Sequence, residues 1–283
     1  MCSRPAAVER ATPLLGTLVS VRAALADRAV ANAAIDSAFD AVRTVHRLMS
    51  FHDPDSDLSR LHRAAPGQAV SIDPHTAEVL AFALELARRT GGAFDPAIAG
   101  KAVGRGDLPR PEGSNDPDDD ASWRDIRLEG LAVRRLRSVW LDLGGVAKGY
   151  AVDLAVAALK QRGVAEGCVN AGGDLRVFGA QSECIELLAG DPAHTPVLEL
   201  TDGAAASSGG GRGEAAHFDG RGGGAIDPRH FVCVTAPSCM AADALTKVVL
   251  AMGDDARPIL AAFQAEAHQF DARRGWRSWE MAA

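Results

Sequence analysis

A pair of glycines followed by a lysine marks the most regular stretch of this 283-residue sequence. Residues 141–153 read LDLGGVAKGYAVD, in which an apolar segment ends at Gly144 and Gly145 and a helical pattern containing Lys148 begins. The first turn of a helix presents free backbone N–H groups and the positive end of the helix dipole, and both favour an anion. The stretch matches neither common phosphate-binding glycine motif, so a tight turn with a solvated lysine is an equally good interpretation. Phosphate binding is therefore a hypothesis at this stage.

Two further glycine-rich turns carry a carboxylate. The segment NAGGD at residues 170–174 follows an apolar strand pattern, and GGAFDP at residues 91–96 places Phe94 beside Asp95. Paired glycines let a ligand approach the backbone closely, although a bulged hairpin needs the same residues. A phenylalanine in such a loop is more often part of the core than a ligand contact. Neither segment identifies a site by itself.

An acidic and a basic residue lie one turn apart on a predicted helix near the C-terminus. Asp243 and Lys247 are four positions apart in APSCMAADALTKVVLAMG, residues 236–253. On an exposed helix face this spacing usually gives a surface ion pair that contributes little to stability. A functional role for the pair needs support from other parts of the sequence.

Taken together and in order, these pieces resemble the FAD:protein FMN transferase family, also called ApbE or flavin transferases. Each segment is common alone, but eight in the family's order make coincidence implausible. The segments are LGT (15–17), SFHDPDSDLSRLHRA (50–64), GGAFDP (91–96), LDLGGVAKGYAVD (141–153), VNAGGDLRVFG (169–179), SSG (207–209), IDP (226–228) and APSCMAADALTKVVLAMG (236–253). The resemblance implies one such domain over residues 1–283, of which about residues 14–253 carry the matching motifs. Composition predicts flexible loops at 100–122 and at 207–225, the second being glycine-dense and flexible unless a ligand orders it.

The resemblance implies an α+β fold with mixed sheets and packed helices around an FAD cleft. It also implies transfer of the FMN part of FAD to a serine or threonine hydroxyl of an acceptor protein, with release of AMP and usually with Mg²⁺ on the pyrophosphate. The positions that match the family's FAD contacts are Leu15, His52, Ala93, Phe94, Asp95, Asp142, Lys148 and Ile226. The positions that match its metal ligands are Gly145, through the backbone carbonyl, and Asp243; Asp243 and Lys247 are the catalytic candidates.

The sequence departs from the family's pattern near the metal and the catalytic loop. Lys247 stands where the family has a threonine that completes the metal site, and an ammonium group cannot ligate Mg²⁺. The lysine is instead able to occupy the cation's position and contact the phosphates. Gly224 replaces the family's histidine, the T-G-x-P loop after Asp-Pro is missing, and His52 replaces an aromatic residue while keeping a ring that can stack on a base.

Helices and strands predicted from the sequence position these residues. Amphipathic and capping patterns predict helices over 27–50, 74–90, 150–162 and 240–252, with a short capped segment over 58–64. Strand patterns cover 14–25, 140–143, 166–171, 175–179, 184–189, 196–201 and 231–235, and a hairpin is predicted within 126–141. Residues 100–122 are polar and rich in glycine, proline and aspartate, which indicates a loop.

Composition excludes several classes of protein. The chain has 30 lysines and arginines against 37 aspartates and glutamates, a formal net charge of −7, and 47% hydrophobic residues. This is typical of a soluble globular protein, and the acidic balance disfavours nucleic acid as a partner. No apolar run is long enough to cross a membrane, and the five cysteines contain no C-x-x-C pair. The N-terminus lacks a signal-peptide pattern, so the chain as written is expected in the cytoplasm, or in the periplasm if an export signal has been removed.

Three functions remain open from these residues. The first is flavin transfer from FAD to a protein. The second is hydrolysis of FAD to FMN and AMP, in which water takes the place of the acceptor hydroxyl. The third is non-catalytic FAD binding with a degenerate metal site. Lys247 and Gly224 favour the third, whereas the presence of Asp243, Asp142 and Lys148 favours catalysis.

Overall fold

The centre of the fold is an eight-stranded sheet in which every neighbouring pair of strands is antiparallel. The computed structural model describes residues 7–189, 195–209, 217–222, 224–227 and 230–280. Side by side, the strands of this sheet are β1 (Ala7–Leu14), β2 (Thr17–Ala24), β6 (Gly167–Ala171), β7 (Asp174–Phe178), β10 (Ala204–Gly209), β11 (Phe231–Ala236), β12 (Glu266–Asp271) and β13 (Gly275–Trp279). A second sheet has three strands in the order β3 (Ala69–Ser71), β5 (Ala132–Arg135) and β4 (Ile126–Glu129). Strands β8 (Ser182–Glu186) and β9 (Val197–Thr201) form a separate antiparallel pair.

Three long helices pack on the large sheet. The described helices are α1 (Arg28–Met49), α2 (Asp57–Arg63), α3 (Pro74–Arg89), α4 (Ala99–Arg105), α5 (Ala147–Gln161), α6 (Cys239–Met252) and α7 (Arg257–Ala262). Helix α5 contacts α1 on one side and α6 on the other, and all three contact strands of the sheet. The main core lies between these layers. Among the described residues, no helix is both long and apolar enough to span a membrane.

The first helix shows how the sequence selects its local structure. The Asp27 side chain caps α1 by accepting hydrogen bonds from the backbone N–H groups of Ala29 and Val30. Apolar residues then recur every three or four positions, so that one face of the helix is buried against the sheet and α5. Those buried residues include Ala34, Ile35, Ala38, Val42 and Val45.

A glycine allows α5 and α6 to meet at their N-terminal ends. A Cβ atom at Gly149 would lie 2.2 Å from the carbonyl oxygen of Cys239, a separation that no side chain tolerates. The same glycine donates its backbone N–H to the Asp243 carboxylate on α6, at 3.0 Å. The close approach therefore places the start of α5 next to the acidic residue of α6.

Several predicted elements differ from the observed ones. The strand predicted over 14–25 is instead the end of β1 and all of β2, joined by a turn in which Leu15 and Gly16 have φ values of 54° and 72°. Residues 140–143 form no strand, since Leu141 donates to the ring of His62 and Asp142 to the carbonyl of Pro96. The loop predicted over 100–122 begins with most of helix α4.

The glycine-dense segment is partly ordered by the sheet. Residues 207–209, predicted to begin a flexible loop, belong to strand β10. Farther along, Phe218 and Ala225 form an isolated antiparallel bridge. Residues 210–216 and 223 of that predicted loop, Pro228 of the IDP segment, and Cys2 lie outside the described residues. The other four cysteines are free thiols.

Candidate functional site

A cavity of about 550 Å³ lies where the β1–β2 turn, the segment before α4 and the start of α5 come together. Six of the eight predicted FAD-contact residues line it: Leu15, Ala93, Phe94, Asp95, Asp142 and Lys148. Gly145 and Lys247 line it as well. Motifs that are far apart in the sequence therefore share one cavity, whose size suits a small-molecule ligand.

The other three predicted site residues do not line the cavity. His52 is exposed, with its ring beside that of Phe51. Ile226 packs against the core, and its backbone N–H donates to the carbonyl of His217 at 2.7 Å. Asp243 is fully buried beneath the cavity. Ile226 does not line the cavity itself. It supports the segment whose His217 and Phe218 do line it.

Two lysine–aspartate pairs form the floor of the cavity. Lys148 Nζ lies 2.7 Å from Asp174 Oδ2, and Lys247 Nζ donates to Asp243 Oδ1. Both aspartates are 0% exposed, whereas the lysine side chains are 32% and 14% exposed. The carboxylates are therefore enclosed by protein, and the ammonium groups lie between them and the cavity.

Burial and neighbouring charges shift the pKa values of Lys148, Asp174 and Asp243. Burial opposes the charge on Lys148, but Asp243 and Asp174 outweigh it and raise the lysine's pKa. Burial raises the pKa of Asp174, and repulsion from Asp243 adds to this effect. Burial also acts on Asp243, yet the two lysines and the Gly149 N–H hold its pKa below its usual value. Lys148 and Asp243 therefore stay charged across the physiological pH range.

Asp142 and Asp95 shape the cavity wall through backbone hydrogen bonds. Asp142 Oδ1 accepts from the Gly144 N–H at 2.8 Å and so fixes the glycine turn before α5, while burial raises its pKa. Asp95 Oδ1 accepts from the N–H groups of Ala97 at 2.8 Å and Trp123 at 3.1 Å. Burial raises the pKa of Asp95 to about 6.

Several residues of the cavity were not predicted as site residues. Thr17, Ser207 and Ser208 lie within quoted motifs and also line the cavity. His217 also lines the cavity, and burial together with Lys247 and Lys148 lowers its pKa to about 4, so its ring is neutral. Asp174 lies in the NAGGD segment, but no pattern in the sequence indicates that it pairs with Lys148. His217 lies in a glycine-dense stretch without periodicity, so only the folded chain brings it to the site.

Comparison with known proteins gives consistent family matches. Residues 15–270 match the model of the ApbE family. A Haemophilus influenzae protein named FAD:protein FMN transferase is 29% identical over 246 residues, covering 76% of this chain and 71% of that protein. A Vibrio cholerae protein of the same name is 27% identical over 285 aligned residues, covering 90% and 84%. A Rhodobacter capsulatus protein of that name is 34% identical over 178 residues, but the match covers only 34% of its length.

Solved structures show the same fold. A flavin transferase ApbE from Vibrio cholerae superposes with a TM-score of 0.82 at 21% identity, covering 97% of this chain and 96% of that one. The apo form of a flavinyl transferase ApbE from Pseudomonas stutzeri gives a TM-score of 0.83 at 19% identity, covering 99% and 96%. The predicted α+β fold of this class is confirmed by these matches.

Proposed function

This chain belongs to the ApbE family, and on that premise we propose that it transfers the FMN part of FAD to a serine or threonine hydroxyl of an acceptor protein, with release of AMP. The observation that carries the proposal is the cavity with Lys148, Lys247 and the glycine turn on its floor. Two ammonium groups and the glycine turn that leads into α5 line one space. This arrangement suits the diphosphate of FAD, the most strongly charged part of that molecule.

The apolar and the charged residues of the cavity bind different parts of FAD. Leu15, Phe94 and Ile98 give apolar surface against which the rings of FAD can pack. Lys148, fixed by Asp174, and Lys247, fixed by Asp243, hold the phosphate oxygens. Because phosphoryl transfer depends mainly on positioning and on stabilising charge on phosphate oxygens, residues of these types suffice to orient the group that moves.

The proposed reaction breaks one bond and forms one. The acceptor hydroxyl oxygen attacks the phosphorus on the riboflavin side, opposite the bridging oxygen. The bond between that phosphorus and the bridging oxygen breaks, and AMP leaves with the bridging oxygen. The hydroxyl proton passes to the released phosphate or to solvent, so that atoms and charge balance. The two lysines stabilise the negative charge that develops on the leaving AMP.

The Mg²⁺ ion implied by the family resemblance does not fit the residues present here. Of the two predicted ligands, Asp243 already accepts hydrogen bonds from the Gly149 N–H and from the Lys247 ammonium. In the described part of the chain, no group of three or more histidine, cysteine, aspartate or glutamate residues is arranged to hold a metal ion. No step of the proposed reaction is therefore assigned to a metal.

AMP release with and without a hydroxyl acceptor tests the proposal. The protein is incubated with FAD and a bead-bound library of peptides containing serine and threonine, with a matched library in which alanine replaces both. We expect AMP in solution and flavin fluorescence that stays on the beads after a denaturing wash, only with the hydroxyl library. Equal AMP release with both libraries would make the protein an FAD hydrolase. FAD binding without AMP release would make it a non-catalytic binding protein.

A further inference from the structure

We propose that Lys247 replaces the divalent cation at this site, so that the protein holds the FAD diphosphate without Mg²⁺. The inference rests on the proposed function, since it concerns how the same cavity binds FAD. The family resemblance implies a divalent ion beside Asp243, whereas the structure has the Lys247 ammonium group there. In this arrangement Lys247 contacts the phosphates of the substrate directly.

The Lys247 ammonium group is already bound where a cation would sit. It donates to Asp243 Oδ1 and, at 3.1 Å, to the backbone carbonyl of Asp243. The second carboxylate oxygen of Asp243 accepts the Gly149 N–H at 3.0 Å. Both oxygens of the predicted metal ligand are thus engaged by donors of the protein. A divalent ion would have to displace the ammonium group from a fully buried carboxylate.

The stem of the lysine also runs along the second predicted ligand. A Cβ atom built on Gly145 would lie 3.6 Å from Lys247 Cε and 3.8 Å from Lys247 Cγ. An ion bound between the Gly145 carbonyl and Asp243 would therefore meet a positive charge at close range. The divalent ion and the lysine ammonium group would both be positive and shielded from water, so they would repel each other strongly. The lysine and a divalent ion exclude each other from one position.

The neighbouring threonine does not replace the missing ligand. Thr246 is fully buried, and its hydroxyl donates to the carbonyl of Asp243 at 2.7 Å. The same hydroxyl lies 2.8 Å from the hydroxyl of Ser208. Thr246 therefore already has its hydrogen-bond partners within the protein, and shifting the metal site by one residue along α6 would break both contacts.

One donor of the lysine remains for the substrate. An ammonium group has three N–H donors, and in the described part of the chain two of them are used on Asp243. Lys247 lines the cavity with 14% of its side chain exposed, so the third donor is close to the ligand space and largely out of water. A fixed, desolvated ammonium group attracts a phosphate oxygen more strongly than one in solvent does.

The dissociation constant of FAD, measured by calorimetry in EDTA and in Mg²⁺, tests this role. For the wild type we expect the two values to agree within about twofold. Lys247→Thr restores the family's residue, so FAD should bind about 10- to 100-fold more weakly in EDTA and recover when Mg²⁺ is added. Lys247→Met should bind about 10- to 100-fold more weakly in both buffers, because it supplies neither a charge nor a metal ligand.

Lys160→Met is the matched control. Lys160 is exposed at the far end of α5, with its Nζ 5.2 Å from the centre of the Phe178 ring, and about 18 Å of helix separates it from Lys148. Its loss should leave FAD binding unchanged in both buffers. Circular dichroism melts of each variant report whether it is folded, and the wild-type comparison needs no variant.

Two results would overturn the role of Lys247. The first is a wild-type dissociation constant that rises tenfold or more in EDTA and is restored by saturating Mg²⁺. The second is a folded Lys247→Thr protein that binds FAD in EDTA as tightly as the wild type. Wild-type protein that binds FAD in neither buffer would instead refute the proposed function itself, so the two failures are distinguishable.

Discussion

Replacing Lys148 by methionine removes one of the two ammonium groups on the cavity floor while keeping about the same side-chain length. Two effects follow from the structure. FAD loses one hydrogen bond from a charged donor, which is worth about 1.5–3 kcal/mol, or about 10- to 150-fold in dissociation constant. Asp174 loses its ion-pair partner at 2.7 Å, and its other oxygen has no hydrogen-bond partner among the described residues. The sequence alone gave no reason to expect the second effect.

The loss of stability should be about 3 kcal/mol, at the low end for breaking a buried pair because a third of the Lys148 side chain is exposed. Burial already raises the pKa of Asp174, and removing Lys148 raises it further. A carboxyl group whose pKa is higher in the folded state stabilises at low pH and loses that contribution as the pH rises. Urea unfolding should therefore show a deficit relative to wild type that is small well below the wild-type pKa of Asp174, about 6, and grows as the pH rises above it.

The double variant Lys148→Met/Asp174→Asn separates the two effects. Removing the buried charge together with its partner should restore most of the lost stability at neutral pH, because replacing both members of a buried pair costs far less than breaking it. FAD affinity, measured by calorimetry, should stay as low as in the single variant. A double variant that regains wild-type affinity would show that Lys148 only holds Asp174, and the reasoning about diphosphate binding would be wrong.

Three further predictions concern the helix contact, the cavity wall and the ligand. Gly149→Ala should destabilise the protein by at least about 3 kcal/mol in urea unfolding, because its Cβ would clash with the Cys239 carbonyl, whereas Gly104→Ala, with open space around it in α4, should stabilise by about 0.5–1 kcal/mol. Burial raises the pKa of Asp95 to about 6, so its contribution to the unfolding free energy falls as the pH rises from about 4 to about 6. Asp95→Asn should remove up to about 3 kcal/mol of that fall, and an unchanged pH profile would contradict the assignment. The family resemblance places His52, Ala93 to Asp95, Asp142 and Lys148 around the adenine and pyrophosphate half of FAD, most of which FMN lacks. FAD should therefore bind at least about tenfold more tightly than FMN in calorimetry, and equal dissociation constants would rule out this placement.

Local signals in the sequence were enough for the helices that carry the site. Asp27 and the spacing of apolar residues define α1, and the helix predicted over 240–252 is α6 but for one residue at its start. The predicted turn at Gly144 and Gly145 does lead into α5, although the helix begins at Ala147, three residues earlier than expected. These features depend on capping, periodicity and glycine, which act over a few residues.

Elements that depend on distant partners were missed. Residues 140–143 alternate like a strand, but their hydrogen bonds go to His62 and Pro96. Strand β10 reads AAASSG, which has little intrinsic strand preference, and it is a strand because β7 and β11 flank it. A single sequence shows no sign of either arrangement.

The residues of the candidate site also fall into two groups, those indicated by local sequence signals and those that only the folded chain brings together. Six of the eight predicted FAD positions line the cavity, because each motif holds its own short turn together. The pairing of Lys148 with Asp174, 26 residues away, and the arrival of His217 depend on the packing of separate segments. The misfit at Lys247 was visible in the sequence, whereas its bonds to Asp243 and its contact with Gly145 required the folded chain.

A crystal structure of the protein grown with FAD in the presence of EDTA tests the central claim most directly. We expect the diphosphate over the Gly144–Gly145 turn, with phosphate oxygens within hydrogen-bonding distance of Lys148 Nζ and Lys247 Nζ and no cation beside Asp243. FAD bound elsewhere on the molecule, or in the cavity with its diphosphate away from both lysines, would contradict the account.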